Sequence, residues 1–422
     1  MSSDLVRPDY EKAIFSVVPT TIQESLKIDL KEPYNRWVFK ETKLKRLFDE
    51  ADINIILIID SLCLGVLNGF LKSKWEETGK LTLSSIVPTA TANAVGAIYI
   101  GLPPEESGLI AMRFYVDEIG NYIDALLGKV SGVGTKDALA NVGIKLNHFL
   151  WNRSILEKMS SRDDIIYVDL LPSNIRGGLQ RFYETGVLTL HYSTELDGFF
   201  EIRNVTRKML QRNFRGIVFM YTGALDAISH KYDYRSNEWM EQLETLNIAI
   251  EKLYRNIALI SKETGREINL IIVSDHGHIT LDKDIEISED DWKRVASELG
   301  IEAYMPSGRF GFIYLEKNVD PENIDLEKLN QLFRNEAYLM RIEEGIKNGF
   351  WPALNDEVRE KFYERAGDFI VIPKRGIDFY LKKEKEEPII DDVGNEYRRN
   401  RASHGGLTQE EMITPFIISH FP

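Results

Sequence analysis

Cysteine is almost absent. Cys63 is the single one in 422 residues, so no internal disulfide can form and no cysteine-based zinc cage can be built. Positive charge is in short supply as well. Lys and Arg number 52 against 66 Asp and Glu, a formal charge of −14. A field of that sign repels long polyanions, which argues against general nucleic-acid binding. A small anion is still acceptable where bound cations reverse the sign locally. Long apolar runs are missing too. The most apolar stretch, INIILIID at 53–60, falls far short of the roughly 20 residues that span a bilayer. The opening MSSDLVRPDYEKAIF has no basic segment followed by an apolar one, as a secretory leader would. The expectation is a cytoplasmic protein with no membrane partner.

What is present is ample material for a core. Hydrophobic residues make up 43% of the chain and charged ones 28%, which excludes disorder and collagen-like repeats. The β-branched runs at 53–59, 164–170, 217–221 and 268–273 read as strands buried on both faces. Between the last two, Leu243, Leu246, Ile250, Leu253 and Ile257 recur at helical spacing within 239–262. Such alternation predicts an α/β fold: a mostly parallel sheet sandwiched by helices. Further helices are expected at 8–15 and 40–50, and 188–202 reads as part of a small subdomain. Beyond 285 the texture changes. The reading is a first part of the core over 1–285, a smaller α+β insertion over 286–364, and a return to the core over 365–422. That return includes strands at 369–373 and 413–419.

In open parallel sheets, ligands bind at the carboxyl ends of the strands. Asp60 ends the first run, Asp226 and His230 follow the third, and Asp275 and His276 follow the fourth; His404 precedes the last strand. Each alone is ordinary, because a strand-terminal Asp often caps a helix and most isolated histidines lie in cores or on surfaces. Together they form an oxygen and nitrogen donor set suited to Zn²⁺, Mn²⁺ or Fe²⁺ and large enough for two ions. Asp226 and His230 are spaced i, i+4 and share a face if helical. Gly277 would let the chain break after Asp275 and His276. A nucleophile is also on offer. Thr91 opens a helix after a short strand, with Thr89 two residues earlier; both hydroxyls could equally serve as helix caps.

The ordered set of Asp60, PTATANA around Thr91, IGLPPEESGL, DAISH, SDHGH and SHGG resembles the alkaline phosphatase superfamily. Within it, the chain is most similar to the type I phosphodiesterase/nucleotide pyrophosphatase branch, over about residues 50–282 and 365–422. The segment SHGGLTQEEMITPFI is also similar to PglZ-domain proteins. The resemblance implies one ion held by Asp226, His230 and His404, and a second held by Asp60, Asp275, His276 and the Thr91 hydroxyl. Zn²⁺ is the first choice and Mn²⁺ the second. It implies attack on phosphorus by Thr91 through a phosphoryl-threonine intermediate, with Asn93 donating to a phosphate oxygen. The implied substrate is a small phosphate ester, nucleotide-like, with an oligomeric state left open. Rival readings are a phosphomonoesterase or phosphonate hydrolase on the same scaffold, and a PglZ-like interaction component of a defence complex. Sulfatase chemistry is disfavoured because no C/S-x-P-x-R element is present.

Three departures stand out. Lys231-Tyr232-Asp233 follows His230 where relatives often have Gly, and Ser107 stands where a His is common. His278 stands where many relatives carry an apolar residue, and the expectation is that it takes no part in the site.

Overall fold

The computed structural model describes residues 4–352, 356–382 and 400–422. Its centre is a six-stranded sheet in the order Ile417–Phe421, Ile268–Val273, Ile53–Ile59, Arg215–Thr222, Ile165–Pro172, Leu188–Tyr192. All neighbours run parallel except Ile417–Phe421, which lies antiparallel to Ile268–Val273. The α/β fold with a mainly parallel sheet is therefore present.

The central strand shows why. Every residue of Ile53–Ile59 is buried, and successive side chains enter opposite cores. Ile56 and Ile58 pack with the Thr91–Ile100 helix and the N-terminal segment. Ile53, Ile55, Leu57 and Ile59 pack with the Glu195–Gln211 and Asn237–Thr264 helices. A strand covered on both faces has no polar side, so its sequence is a continuous apolar run. The Asn237–Thr264 helix buries Leu243, Leu246, Ile250, Leu253 and Ile257 as their spacing predicts. Ser236 caps its start, and Gly265, in the left-handed region at φ 63°, closes its end.

Some elements differ from expectation. The 188–202 stretch forms no subdomain: Leu188–Tyr192 is the edge strand of the main sheet and Glu195–Gln211 is a helix capped by Thr194. Leu188 is 58% exposed, as an edge position permits, which blurs the apolar pattern of a buried strand. The helices expected at 8–15 and 40–50 shrink to turns of 3₁₀ helix at Tyr10–Lys12 and Ile14–Ser16 and a single α-helical turn at Thr42–Lys45.

A second, antiparallel sheet holds Ile301–Ser307, Phe310–Leu315, Phe369–Pro373 and Ala337–Arg341 in that order. Phe369–Pro373 thus belongs here and not to the main sheet, because it lies between two partners in register. This sheet extends beyond residue 364. The final strand is two: Ile413–Pro415 pairs with Thr82–Ser84, and Ile417–Phe421 joins the main sheet. Pro415, which has no N–H to give a ladder, marks the break. No helix among the described residues is long and apolar enough to cross a membrane.

Candidate metal centre

The side chains singled out at the strand ends converge. Asp60 directly follows the Ile53–Ile59 strand, its N–H bonded to the Thr222 carbonyl at 2.9 Å. Ser61 then turns the chain sharply, with φ at 60° in the left-handed region, and its N–H reaches the Asp275 carboxylate at 3.3 Å. The Ala224–Tyr232 helix starts at the end of the Arg215–Thr222 strand and carries Asp226 and His230 on one face, Oδ1 and Nε2 3.4 Å apart. Asp275, His276 and His278 follow the Ile268–Val273 strand and are fully buried. Gly277 is required between them: a Cβ there would sit 2.0 Å from the Glu410 carbonyl oxygen. His404 arrives from the C-terminal side, its carbonyl receiving the Arg309 N–H at 2.8 Å.

Backbone carbonyls orient three of the imidazoles. Nδ1 of His230 faces the Ala402 carbonyl at 2.9 Å, Nδ1 of His404 faces the Thr89 carbonyl at 2.9 Å, and Nδ1 of His276 faces the Gly277 carbonyl at 3.2 Å. A carbonyl only accepts, so each Nδ1 carries the proton and each Nε2 lone pair is free to point inward. Inward is where the carboxylates are. Nε2 of His404 lies 3.7 Å from Asp226 Oδ1, and Nε2 of His276 lies 3.6 Å from Asp60 and 3.2 Å from Asp275. Two sets of donor atoms lie within 4.8 Å of one another: Asp226, His230, His278 and His404, and Asp60, Asp226 and His276.

Electrostatics fit this donor set to cations. Burial, reinforced by the Asp275 and Asp226 charges, raises Asp60 well above the usual carboxylate range. Burial and Asp226 push Asp275 up to about 7. Burial and the neighbouring imidazoles push His404 and His278 well below the usual histidine value, leaving both neutral. Oδ2 of Asp275 and both ring nitrogens of His278 are buried without a hydrogen-bond partner. Clustered carboxylates, neutral imidazoles and orphaned donor atoms are what divalent cations would satisfy, and the residues present fit such ions.

Thr91 is the first residue of its helix, whose N-cap is Ala90. Its Oγ1 faces Nε2 of His276 at 3.1 Å, so its hydroxyl is turned into the cluster. Thr89 is buried and holds the C-terminal loop, donating to the Gly406 carbonyl and accepting from the Gly405 N–H. Asn93 lies two residues beyond Thr91 on the same helix. It is fully buried, and its amide donates to the Pro88 carbonyl at 2.7 Å, a bond that braces the turn before Thr91.

Three contributors were not marked by the sequence. Ser61 Oγ lies within 3.0–3.2 Å of Asp60, Asp226 and His276. The Tyr221 hydroxyl, from the neighbouring strand, donates to Asp60. His278, expected to stand aside, is inside the cluster. For His278 a signal existed, since it lies two residues beyond His276 on the same segment; Ser61 and Tyr221 carried none.

A family model described as type I phosphodiesterase / nucleotide pyrophosphatase matches residues 55–407. The chain belongs to that family. No curated protein matches it significantly. Among solved structures, murine ectonucleotide pyrophosphatase / phosphodiesterase 5 is 12% identical, with TM-score 0.57 over 86% of this chain and 87% of that one. Phosphonoacetate hydrolase from Sinorhizobium meliloti 1021, in complex with phosphonoformate, is 14% identical, with TM-score 0.57 over 87% of this chain and 90% of that one. Human ectonucleotide pyrophosphatase / phosphodiesterase 5 is 11% identical, with TM-score 0.55 over 86% and 87%. At these identities the likeness is one of fold. The phosphodiesterase-family match spans every cluster residue from Asp60 to His404.

Proposed function

We propose that this member of the type I phosphodiesterase / nucleotide pyrophosphatase family hydrolyses phosphodiester or pyrophosphate bonds of small, nucleotide-like substrates, with Thr91 as nucleophile. The carrying observation is the Thr91 hydroxyl 3.1 Å from His276 at the edge of a buried carboxylate–imidazole cluster. Asp226, His230 and His404 would hold one divalent ion, and Asp60, Asp275, His276 and Thr91 the other. Three histidines beside carboxylates favour Zn²⁺, with Mn²⁺ second. When bound, such ions polarise phosphoryl oxygens and lower the pKa of a nearby hydroxyl.

The chain itself supplies orientation. Ala94 makes the first intrahelical bond of its helix, to Ala90, so the N–H groups before it lack intrahelical acceptors and suit a phosphate oxygen beside Thr91. Attack by Thr91 Oγ1 forms an oxygen–phosphorus bond and breaks the bond to the leaving alkoxide or phosphate. Water then cleaves phosphoryl-Thr91 and restores the hydroxyl. The bond from Asn93 to Pro88 keeps this turn in shape, so Asn93 enters as a positioning residue.

Support for a nucleotide substrate comes from the family match and from an inactive variant of the murine relative in complex with AMP. The phosphonoacetate hydrolase likeness keeps monoesters and phosphonates as the second reading. The test compares bis-p-nitrophenyl phosphate with p-nitrophenyl phosphate in added Zn²⁺ or Mn²⁺. Faster diester turnover is expected, falling by about three orders of magnitude in Thr91→Ala with ion binding intact. Faster monoester turnover would move the substrate class. Ion binding with no turnover of either would turn the reading towards a PglZ-like interaction role.

A further inference from the structure

His278 is the imidazole of the cluster that no part of the reaction above uses. It is fully buried, and both its ring nitrogens lack a hydrogen-bond partner. Buried polar atoms left unpaired are destabilising, so each calls for a partner. Its ring packs edge-on to His230 and His404, with centroids 4.8 and 5.1 Å away. Nε2 lies 3.6 Å from Asp226 Oδ1, beyond the range of a hydrogen bond.

That distance has another meaning. Around one ion with bonds of about 2.0–2.2 Å in tetrahedral geometry, adjacent donor atoms stand about 3.4 Å apart. From the same Asp226 oxygen, Nε2 of His230 is at 3.4 Å, Nε2 of His278 at 3.6 Å and Nε2 of His404 at 3.7 Å. All four donors lie within 4.8 Å of one another. We propose that His278 is a fourth protein ligand to the ion held by Asp226, His230 and His404, closing that ion's coordination shell. The proposal rests on the reading of this cluster as a metal centre. Its consequence is a difference between the two ions: this one would be ringed by four side chains that take no part in bond making, whereas one of the four donors at the other is the reacting Thr91 hydroxyl. Three imidazoles and one carboxylate in a tetrahedral cage also favour Zn²⁺ or Co²⁺ over Mn²⁺ at that position.

The test uses the full chain loaded with Co²⁺ or Zn²⁺, as wild type, His278→Leu, which keeps bulk but cannot ligate, and His278→Ala. Bound ions are counted by mass spectrometry, folding is checked by circular dichroism, and release to excess chelator is timed. Wild type should bind two ions, release one of them slowly, and show the intense visible absorption of tetrahedral Co²⁺. Both folded variants should release the slow ion about tenfold faster or more, with a weaker Co²⁺ band as solvent enters the shell. Added imidazole should restore the band in His278→Ala. An unchanged band and release rate in the variants would overturn the assignment while leaving the metal centre standing. So would a weakened band that imidazole does not restore, since a packing role alone predicts that. Wild type that binds no ion would overturn both readings at once.

Discussion

Ser61 is a small residue with two separable jobs. Its backbone adopts a left-handed turn at φ 60°, which costs an L-residue about 1–2 kcal/mol. Its hydroxyl joins Asp60, Asp226 and His276. Ser61→Gly should remove the hydroxyl and relieve the turn, whereas Ser61→Ala should remove the hydroxyl and keep the strain. Both should lose roughly 10–100-fold in ion affinity, as residues that orient ligands do. In urea denaturation of the ion-free proteins, Ser61→Ala should be the less stable by about 1 kcal/mol. Equal stabilities would mean the turn is not under strain. Nothing in the sequence marks this residue, because a serine after a strand-terminal acid is unremarkable until the φ angle is known. Asp60, Asp226, His230, Asp275, His276 and His404 were legible because acid and imidazole pairs at strand ends are chemically conspicuous. Tyr221 was not, since a tyrosine in a buried strand looks like core until a neighbouring strand brings a carboxylate to its hydroxyl.

At the scale of elements, the tie between the two sheets sets the position of His404. Arg309 sits between the Ile301–Ser307 and Phe310–Leu315 strands, fully buried, and grips Glu411 with two parallel bonds of 3.0 and 2.7 Å. Glu411 in turn accepts from the Gly406 and Thr408 N–H groups, so the loop after His404 hangs from this ion pair. Removing one partner of a buried pair leaves an uncompensated charge. Arg309→Met should therefore lose about 3–5 kcal/mol of stability and weaken ion binding through His404. Arg309→Lys should recover only part of that, because an ammonium cannot reproduce the planar two-bond fork. Thermal unfolding and chelator competition on the variants check this, and full rescue by lysine would refute the fork argument. Strands buried on both faces were readable from sequence. The membership of Phe369–Pro373 was not, because an apolar run does not say which of two sheets it enters.

For the molecule as a whole, the cluster ties stability to pH. Asp275 is raised from 3.8 to about 7 in the folded, ion-free protein. A carboxyl whose folded pKa is raised contributes stability that is fully present below the unfolded value and is lost as pH rises through the folded one. The ion-free protein should therefore lose stability between about pH 4 and 7 from this group, and Asp60, shifted in the same direction, adds to the loss. His404 and His278, held well below the usual histidine value, work in the opposite direction: their unfolded forms keep a proton up to about pH 6.5, so they regain stability as pH rises and offset part of the loss. Protons compete with ions for these carboxylates, so the rise in Tm on adding Zn²⁺ should be larger at pH 8 than at pH 6. Differential scanning fluorimetry at the two pH values decides it, and equal shifts would argue against the carboxylates as ligands.

The clustered carboxylates and imidazoles at the heart of this fold come from segments around residues 60, 226–230, 275–278 and 404. A single ion held by Asp226, His230 and His404 would join parts of the chain that are more than a hundred residues apart. In the chain-entropy picture, covalently closing a loop of about 100 residues is worth about 4–5 kcal/mol. With one cysteine in the whole sequence, the protein has no covalent staple of its own. On the proposed reading coordination would take over that office: the ion would be the cross-link, and a chelator would act on this protein as a reductant acts on a disulfide-bonded one.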